Sequence, residues 1–455
     1  MTTTVNLSTG VEPEITKDKP KRHLLFWILM AGFMGLIYVR NIMEIEFPIV
    51  VLLLYAGAIA LLCDHDEIIA LAVSFVPFSA AFQYRYALLV LIVVYVLKHL
   101  NDMRKINLAA YIPLLLMMVW ELLHGIVGEF SFVSYFQGFT ELIFCSFVIS
   151  LPNKKFDCGF ISRVLAVCVA FSCTILLFKL LPDVNYDFTK IFEGGDYRFG
   201  INDEDVESYV MNYNANALGF MCNMAIAGLI IRIMSSKVNL IDVSLIAVLV
   251  FYGALTLSRS FVICFALVIV LSMLASGVKI GKIVRNVLLL SLAVALMLLI
   301  FQLTVPYVLN NILDRFMEDD VTGGRAGLMV WYNDYIFSDL DHLLFGIGLQ
   351  DILDKVNLGA HIKVEGVPHN AIQELIVVWG VIGLVLFTLF IVNALMDSKK
   401  HNKLRFINFI PIITWFVMGM SGQWITSGKD MLFLIWIYIV FCSRVLDSQR
   451  RIYEI

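Results

Sequence analysis

Fourteen apolar blocks run through most of this chain of 455 residues, and they decide what it can fold into. They lie at residues 24–39, 48–63, 67–82, 84–98, 108–124, 131–151, 160–181, 214–234, 240–257, 260–277, 286–305, 369–396, 406–422 and 430–446. Most are roughly 16 to 24 residues long, enough for a helix to cross a hydrocarbon core about 30 Å thick. Since 60% of the residues are hydrophobic and only 15% are charged, a water-soluble fold would lack polar surface. The sequence therefore predicts an all-α polytopic membrane protein with 12–14 transmembrane helices, fourteen by this count.

The charged residues indicate how these spans are oriented. When the amino terminus is placed in the cytoplasm and the spans alternate, 22 of the 33 Lys and Arg residues fall on the inner side, as the positive-inside rule expects. Fourteen spans with both termini cytoplasmic are self-consistent, although the short blocks between 48 and 98 also suit re-entrant or broken helices. A net charge of −4 without a long basic run argues against a nucleic-acid partner.

The same pattern divides the chain into seven parts. They are a disordered cytoplasmic tail (1–23), an amino-terminal transmembrane bundle (24–181), an outer loop (182–213), transmembrane helices (214–305), a large outer loop (306–368), carboxy-terminal transmembrane helices (369–446) and a cytoplasmic tail (447–455). Loops as long as the two outer ones are usually functional or disordered. In the larger one, Leu328, Trp331, Tyr332 and Tyr335 recur at helical spacing, which predicts an amphipathic helix against the membrane face. We therefore expect the chemistry to face outward.

Basic residues are scarce on the outer side, so each is a candidate for function. Arg259 lies between two apolar blocks with almost no loop, where an arginine is costly unless it faces a cavity or an anion. A snorkelling side chain at a helix end is the alternative. Arg198 precedes a segment in which Asn214 or Asn216 could cap the next span, with or without an anion at that helix end. Arg325 opens the predicted amphipathic helix, and a salt bridge to the nearby acidic cluster is its alternative role.

His369 is the candidate general base. It follows Pro368, which favours a well-defined helix start, so the imidazole is predicted at the outer boundary of the membrane. Gln373, one turn further on, could orient the ring, and Glu374 lies one turn after Asn370. A lone histidine is more often structural, and this is the alternative interpretation.

Arginines and a histidine on one face suit transfer from a lipid diphosphate. A guanidinium binds diphosphate oxygens bidentately, keeps its charge, and can stabilise the leaving diphosphate. A neutral histidine could take the proton from an attacking sugar hydroxyl. The nearest acidic group, residues 64–67, is predicted to be a solvated inner turn, and none of the eight cysteines has metal-ligand spacing on a loop. We therefore expect neither a metal nor another cofactor.

Short signals in a fixed order make the sequence resemble the O-antigen ligase and O-antigen/capsule polymerase (Wzy-like) family of bacterial membrane glycosyltransferases. They cover roughly residues 195–395 and are Arg198 with Asn214, Asn216 and Gly219; Thr256-Leu257-Ser258-Arg259-Ser260; Gly324-Arg325 with Trp331; Phe345-Gly346-Ile347-Gly348-Leu349; Pro368-His369-Asn370; and Gly380-Val381-Ile382-Gly383. The first half of the chain matches only as hydrophobic spans. The acidic loop after Arg198 departs from the family's short Asn-Pro-Asn pattern, and contact with the sugar acceptor is an alternative role for it.

The resemblance implies a GT-C-type glycosyltransferase fold, an undecaprenyl-diphosphate-linked donor and metal-independent transfer on the outer face. It also implies that Arg259 and Arg325 hold the diphosphate and that His369 activates the acceptor hydroxyl. These three are the catalytic candidates. The substrate-binding candidates are Arg198, Asn214, Asn216, Asn370, Gln373, Glu374 and Trp331.

The expected function is a polysaccharide (O-antigen, capsule or exopolysaccharide) polymerase that transfers a glycan from undecaprenyl diphosphate to a sugar hydroxyl of another lipid-linked repeat unit. The expected location is the bacterial plasma (inner) membrane. The expected partners are undecaprenyl-diphosphate-linked oligosaccharides, membrane lipids, and a flippase and chain-length regulator of the same pathway. An O-antigen ligase of the same family is one alternative. A lipid-linked sugar flippase or transporter is the other, and intramembrane Glu121 and Glu141 would suit it.

Overall fold

The structure, a computed structural model, describes residues 23–79, 81–82, 84–99, 108–127, 157–193, 199–200, 213–235, 238–275, 326–348, 368–401 and 409–420, together with the isolated residues 140, 144, 281, 299, 303, 310, 422 and 437. All regular secondary structure in these ranges is helical, and they contain no strand. The predicted all-α class is confirmed.

Most of the helices follow the predicted apolar blocks, and two (α10 and α11) lie in the predicted large outer loop. They are α1 (Leu24–Asn41), α2 (Ile49–Leu62), α3 (His65–Ser74), α4 (Tyr84–His99), α5 (Leu108–Val127), α6 (Cys158–Asp183), α7 (Ala215–Ser235), α8 (Leu240–Leu255), α9 (Arg259–Ala275), α10 (Ala326–Ser338), α11 (Leu340–Phe345), α12 (Ala371–His401) and α13 (Ile410–Gly419), with 3₁₀ turns at Val76–Phe78 and Phe188–Glu193. Blocks 131–151, 286–305 and 430–446 lie outside the described helices. Arg198, Arg325 and Glu141 also lie outside the described residues.

Four of these helices are long and apolar enough to cross a membrane: Leu24–Asn41, Cys158–Asp183, Ala215–Met234 and Ala371–Asn393. Several shorter helices are also apolar, among them α2, α8 and α9. Large apolar side chains on the outside of the bundle are exposed, for example Leu54 at 69% and Leu240 at 79%. An apolar surface of this extent suits lipid and not water. The chain therefore has the character of a membrane protein, while the count of fourteen spans stays a prediction.

The predicted block 67–82 does not form one regular span. Helix α3 begins at His65 and ends at Ser74, and a 3₁₀ turn that contains Pro77 follows. Proline has no N–H to donate to the preceding turn, so the regular helix stops before it. Every residue from Ile68 to Val76 is buried by protein. Broken backbone is tolerated at membrane depth in such surroundings, because the bundle and not lipid surrounds it.

Charged side chains join the helix ends at one end of the bundle. Asp242, fully buried in the first turn of α8, accepts from Arg163 Nε and from Arg232 Nε, each at 2.9 Å. Arg163 lies in the first turns of α6 and Arg232 in the last turn of α7. The His23 ring, just before α1, stacks on Phe160 at 3.7 Å, so α1 begins there too. We call this the Asp242 end. The start of α7, the end of α8 and the start of α9 lie at the opposite end, which we call the Arg259 end.

Candidate functional site

A buried three-residue turn presents Arg259 at the start of α9. Thr256, Leu257 and Ser258 connect α8 to α9 and are all buried. Leu257 has φ +49°, a left-handed conformation that is costly for a branched residue and that functional turns often contain. Thr256 Oγ1 donates to Gly253 O at 2.6 Å, and Ser258 N donates to Thr256 Oγ1 at 3.3 Å, so the turn is braced from within. Arg259, partly exposed, follows directly as the first helical residue.

The starts of α7 and α9 lie side by side. Ser258 Oγ donates to Asn216 Oδ1 at 2.8 Å across the two helices. Asn216 N in turn donates to Asn214 Oδ1 at 2.8 Å, which confirms that Asn214 caps α7. Gly219 permits this approach, since a Cβ there would lie 3.1 Å from Phe261 Cβ. Arg259 therefore lies at the amino end of α9 and beside the amino end of α7, and both helix ends carry partial positive charge.

Phe199 and Gly200, the two residues after Arg198, pack at the same end of the bundle. Gly200 has φ +81°, and a Cβ on it would lie 2.6 Å from Leu218 and 3.0 Å from Tyr213 O. Only glycine suits both this conformation and this approach. Phe199, fully buried, stacks on Tyr252 of α8 with 6.0 Å between ring centroids. The residue that follows Arg198 is thus anchored at the Arg259 end.

Asn370, and not His369, caps α12. Asn370 Oδ1 accepts from Ile372 N at 2.9 Å and from Gln373 N at 3.3 Å, and the helix begins at Ala371. His369 lies just before the cap and is partly exposed. Asn370 Nδ2 also contacts Met420 Sδ at 3.9 Å, directly after α13.

A series of polar contacts links this helix start to the Arg259 end. Asn223 of α7 donates through Nδ2 to Phe261 O of α9 at 3.1 Å and to Met418 Sδ of α13 at 3.5 Å. Met418 and Met420 lie at the end of α13, and Met420 contacts Asn370. The starts of α7, α9 and α12 are therefore at one end of the bundle.

The prediction that Gln373 orients the His369 ring is wrong. Gln373 Nε2 donates to Met329 O at 2.9 Å and to Asn333 Oδ1 at 2.8 Å, both on α10. Spacing along one helix could not reveal a partner that lies on another. Gln373 instead ties the first turn of α12 to α10, while Glu374 beside it is fully buried.

Helix α10 is the predicted amphipathic helix, but part of its apolar face contacts protein. Tyr332 is fully buried and Ile336 is 2% exposed, whereas Phe337 is 72% exposed. Burial raises the pKa of the Tyr332 and Tyr335 phenols above their ordinary value. Trp331 is partly buried, stacks on Tyr335 with centroids 5.7 Å apart and meets Tyr332 edge-on at 4.9 Å. Trp331 is thus part of an aromatic cluster on the helix that Arg325 precedes.

The two glycine signals, 345–348 and 380–383, meet in space at a break in α12. Gly380 has φ +66° and ψ −173° inside an otherwise continuous helix. A Cβ on it would lie 2.1 Å from Leu344 O, and a Cβ on Gly346 would lie 2.5 Å from Gly380 N. The helix break was not apparent from the sequence, because block 369–396 is an uninterrupted run of mostly apolar residues.

The acidic segment 64–67 contains the amino-terminal cap of α3. Asp64 caps α3 and Asp64 N donates to Glu67 Oε2 at 2.8 Å, a reciprocal capping box. Glu67 also contacts His23 Nδ1 at 2.8 Å. In the part of the chain that the structure describes, no group of three or more His, Cys, Asp and Glu side chains is placed to hold a metal ion.

No known protein family and no curated protein matches this chain.

Proposed function

We propose that this protein is a polysaccharide polymerase with a GT-C-type arrangement of about fourteen spans in the bacterial plasma membrane. Both termini are cytoplasmic, and the Arg259 end faces outward. The enzyme transfers a glycan from undecaprenyl diphosphate to a sugar hydroxyl of another lipid-linked repeat unit. Flippase and chain-length partners of the same pathway supply the substrate and set the product length.

One observation carries this proposal: basic residues adjoin the starts of helices at the Arg259 end. Arg259 is the first residue of α9, Arg325 directly precedes α10, and His369 lies two residues before α12. Arg198 directly precedes Phe199, which is packed at this end. A helix amino end carries about half a positive charge, which adds to that of each guanidinium. Positive charge at such helix starts suits a diphosphate.

In the proposed reaction, the acceptor oxygen bonds to the anomeric carbon of the donor sugar while the bond from that carbon to the phosphate oxygen breaks. Undecaprenyl diphosphate leaves with the electron pair, and Arg259 and Arg325 stabilise its charge. The hydroxyl proton passes to His369. Arg198, Asn214, Asn216 and Trp331 contact the donor or the acceptor sugar.

The site residues on α12 have different parts in this proposal. Asn370 fixes the start of the helix through its cap and so sets the position of His369. Gln373 holds α10, which Arg325 directly precedes in the sequence, against the first turn of α12. Glu374 is fully buried beside Gln373 in the first turn of α12, the turn that these two contacts hold in place.

The test is elongation by the purified full chain in nanodiscs, with lipid-diphosphate-linked repeat units isolated from the same cells. We expect His369→Ala to reduce elongation by about 10²-fold or more, the usual contribution of a general base. Arg259→Lys should also reduce it, because lysine cannot bind bidentately. The matched control is His342→Ala, which removes a histidine of α11 that stacks on Tyr335. Elongation by His369→Ala at the wild-type rate would refute the mechanism.

A lipid-linked sugar flippase is the second candidate, and the break in α12 favours it. Transporters often place broken helices and buried acidic residues at the middle of the membrane, and Glu121 is 1% exposed beside this break. Elongation in detergent, where no transport is possible, excludes a pure transporter. Movement of labelled lipid across vesicles without elongation would support it.

A further inference from the structure

At the break at Gly380, three consecutive carbonyl groups of α12 accept hydrogen bonds from donors outside the helix. Val377 O accepts from Ile347 N at 2.9 Å, and Val378 O accepts from Gly348 N at 2.6 Å. Trp379 O accepts from Trp120 Nε1 of α5 at 3.1 Å. An unsatisfied carbonyl in an apolar interior is costly, so this complete pairing stabilises the break.

A buried carboxylate holds the same point from α5. Glu121 Oε2 accepts from Trp379 Nε1 at 2.7 Å, and the two residues are 1% and 0% exposed. Trp120 and Glu121, adjacent in sequence, thus bind the backbone oxygen and the side-chain nitrogen of a single residue. Gly380 lies nine residues after Ala371, so at 1.5 Å per residue this contact is about 14 Å from the start of α12. A carboxylate at that depth is expensive and usually functional.

The half-helix 371–379 is consequently held at both of its ends by segment 326–348. At its start, Gln373 donates to Met329 O and Asn333 Oδ1 of α10. At its end, Ile347 and Gly348 bind its last carbonyls. Asn370 and His369 directly precede the half-helix in the sequence. Arg325 directly precedes segment 326–348. His369 and Arg325, on which the proposed transfer depends, are therefore attached to one unit that consists of the half-helix and segment 326–348. Helix α5 anchors this unit through Trp379.

We propose that Glu121 is a positioning residue: through its hydrogen bond to Trp379 it fixes the half-helix 371–379, and with it His369, relative to Arg259. This inference rests on the proposed transfer function. It assigns Glu121 no contact with substrate, and it gives the buried carboxylate a role other than transport.

The experiment compares two tryptophan substitutions in the full chain in nanodiscs. Trp379→Phe removes the indole N–H that Glu121 binds. Trp415→Phe is the matched control, because Trp415 is also buried (4% exposed) and its Nε1 has no hydrogen-bond partner among the described residues. Glu121→Gln keeps an acceptor oxygen without the charge, whereas Glu121→Leu removes the acceptor.

Two readouts are needed. The first is the distance between spin labels at Leu340→Cys on α11 and Val385→Cys on the second half of α12, both of which are exposed. We expect a broadened distance distribution for Trp379→Phe and Glu121→Leu, and an unchanged one for Trp415→Phe and Glu121→Gln. The second is elongation kinetics, where Trp379→Phe and Glu121→Leu should lower kcat about tenfold without a change in KM, and Glu121→Gln should restore most of it.

The outcomes separate this inference from the function on which it rests. A wild-type chain without elongation activity refutes the proposed function, whatever the spin labels report. An active wild type whose Trp379→Phe variant retains the wild-type kcat refutes the positioning role. Equal losses in Trp379→Phe and Trp415→Phe also refute it, since only one of them removes a hydrogen bond to Glu121.

Discussion

Substitution of Gly380 by alanine tests the break in α12 most directly. At φ +66° and ψ −173°, Gly380 occupies a region that only glycine adopts readily, so alanine there costs about 1–3 kcal/mol in backbone strain. Its Cβ would also lie 2.1 Å from Leu344 O, a backbone atom that can retreat only if segment 345–348 moves. Loss of the bonds from Ile347 and Gly348 adds about 0.5–1.5 kcal/mol each. The expected destabilisation is thus about 2–6 kcal/mol in total.

The assay is thermal unfolding of the purified chain in nanodiscs, followed by tryptophan fluorescence. Gly327→Ala is the matched control, since Gly327 lies in α10 and a Cβ added to it would meet nothing within 4 Å. It should leave Tm unchanged or raise it slightly, because alanine favours helix by up to about 1 kcal/mol. Equal Tm values for Gly380→Ala and the wild type would refute the backbone geometry at the break.

Three further predictions concern the ends of the bundle. Asp242→Asn should destabilise the protein by about 3–5 kcal/mol, because Arg163 and Arg232 lose their shared carboxylate; an unchanged Tm would contradict this. Asn370→Ala should destabilise the protein by about 1 kcal/mol, because it removes the cap of α12, whereas Asn370→Asp keeps a capping oxygen and should cost much less. The same unfolding assay measures both variants, and equal losses of stability would contradict the cap. Burial raises the pKa of Tyr332, so its contribution to stability is complete below its unfolded pKa of about 10 and is lost as pH rises through the folded value. Tyr332→Phe should therefore lose less stability than the wild type between pH 9 and 12 (about the range that titrates a free phenol), and parallel pH profiles would refute this.

Local sequence patterns predicted helix starts well. The cap at Asn214 depends on the side chain of one residue and the amide of its near neighbour, so the pattern contains all the necessary information. The same holds for helix α10, where the recurrence of Trp331 and Tyr335 reflects helical geometry alone. The span predicted to begin at His369 begins two residues later, at Ala371, and Asn370 is its cap.

Contacts between distant segments could not be predicted in the same way. Gln373 was expected to bind within its own helix turn, whereas its partners Met329 and Asn333 are 44 and 40 residues away. Glu121 was predicted to lie within the membrane, where it would suit a transporter, and its partner Trp379 is 258 residues further along the chain. Nothing in the spacing of either side chain encodes such a partner.

The sequence by itself determined that this is an all-helical protein of membrane character and roughly where several of its described helices begin, because apolar run length and capping residues act over a few neighbouring positions. Only the tertiary structure decided that α12 breaks at Gly380 and that segment 345–348 packs against the break. A helix gives up backbone hydrogen bonds only where other groups replace them, and here the replacement donors Trp120, Ile347 and Gly348 come from segments distant in sequence. The packing of the whole chain therefore decides whether a run of apolar residues is one helix or two.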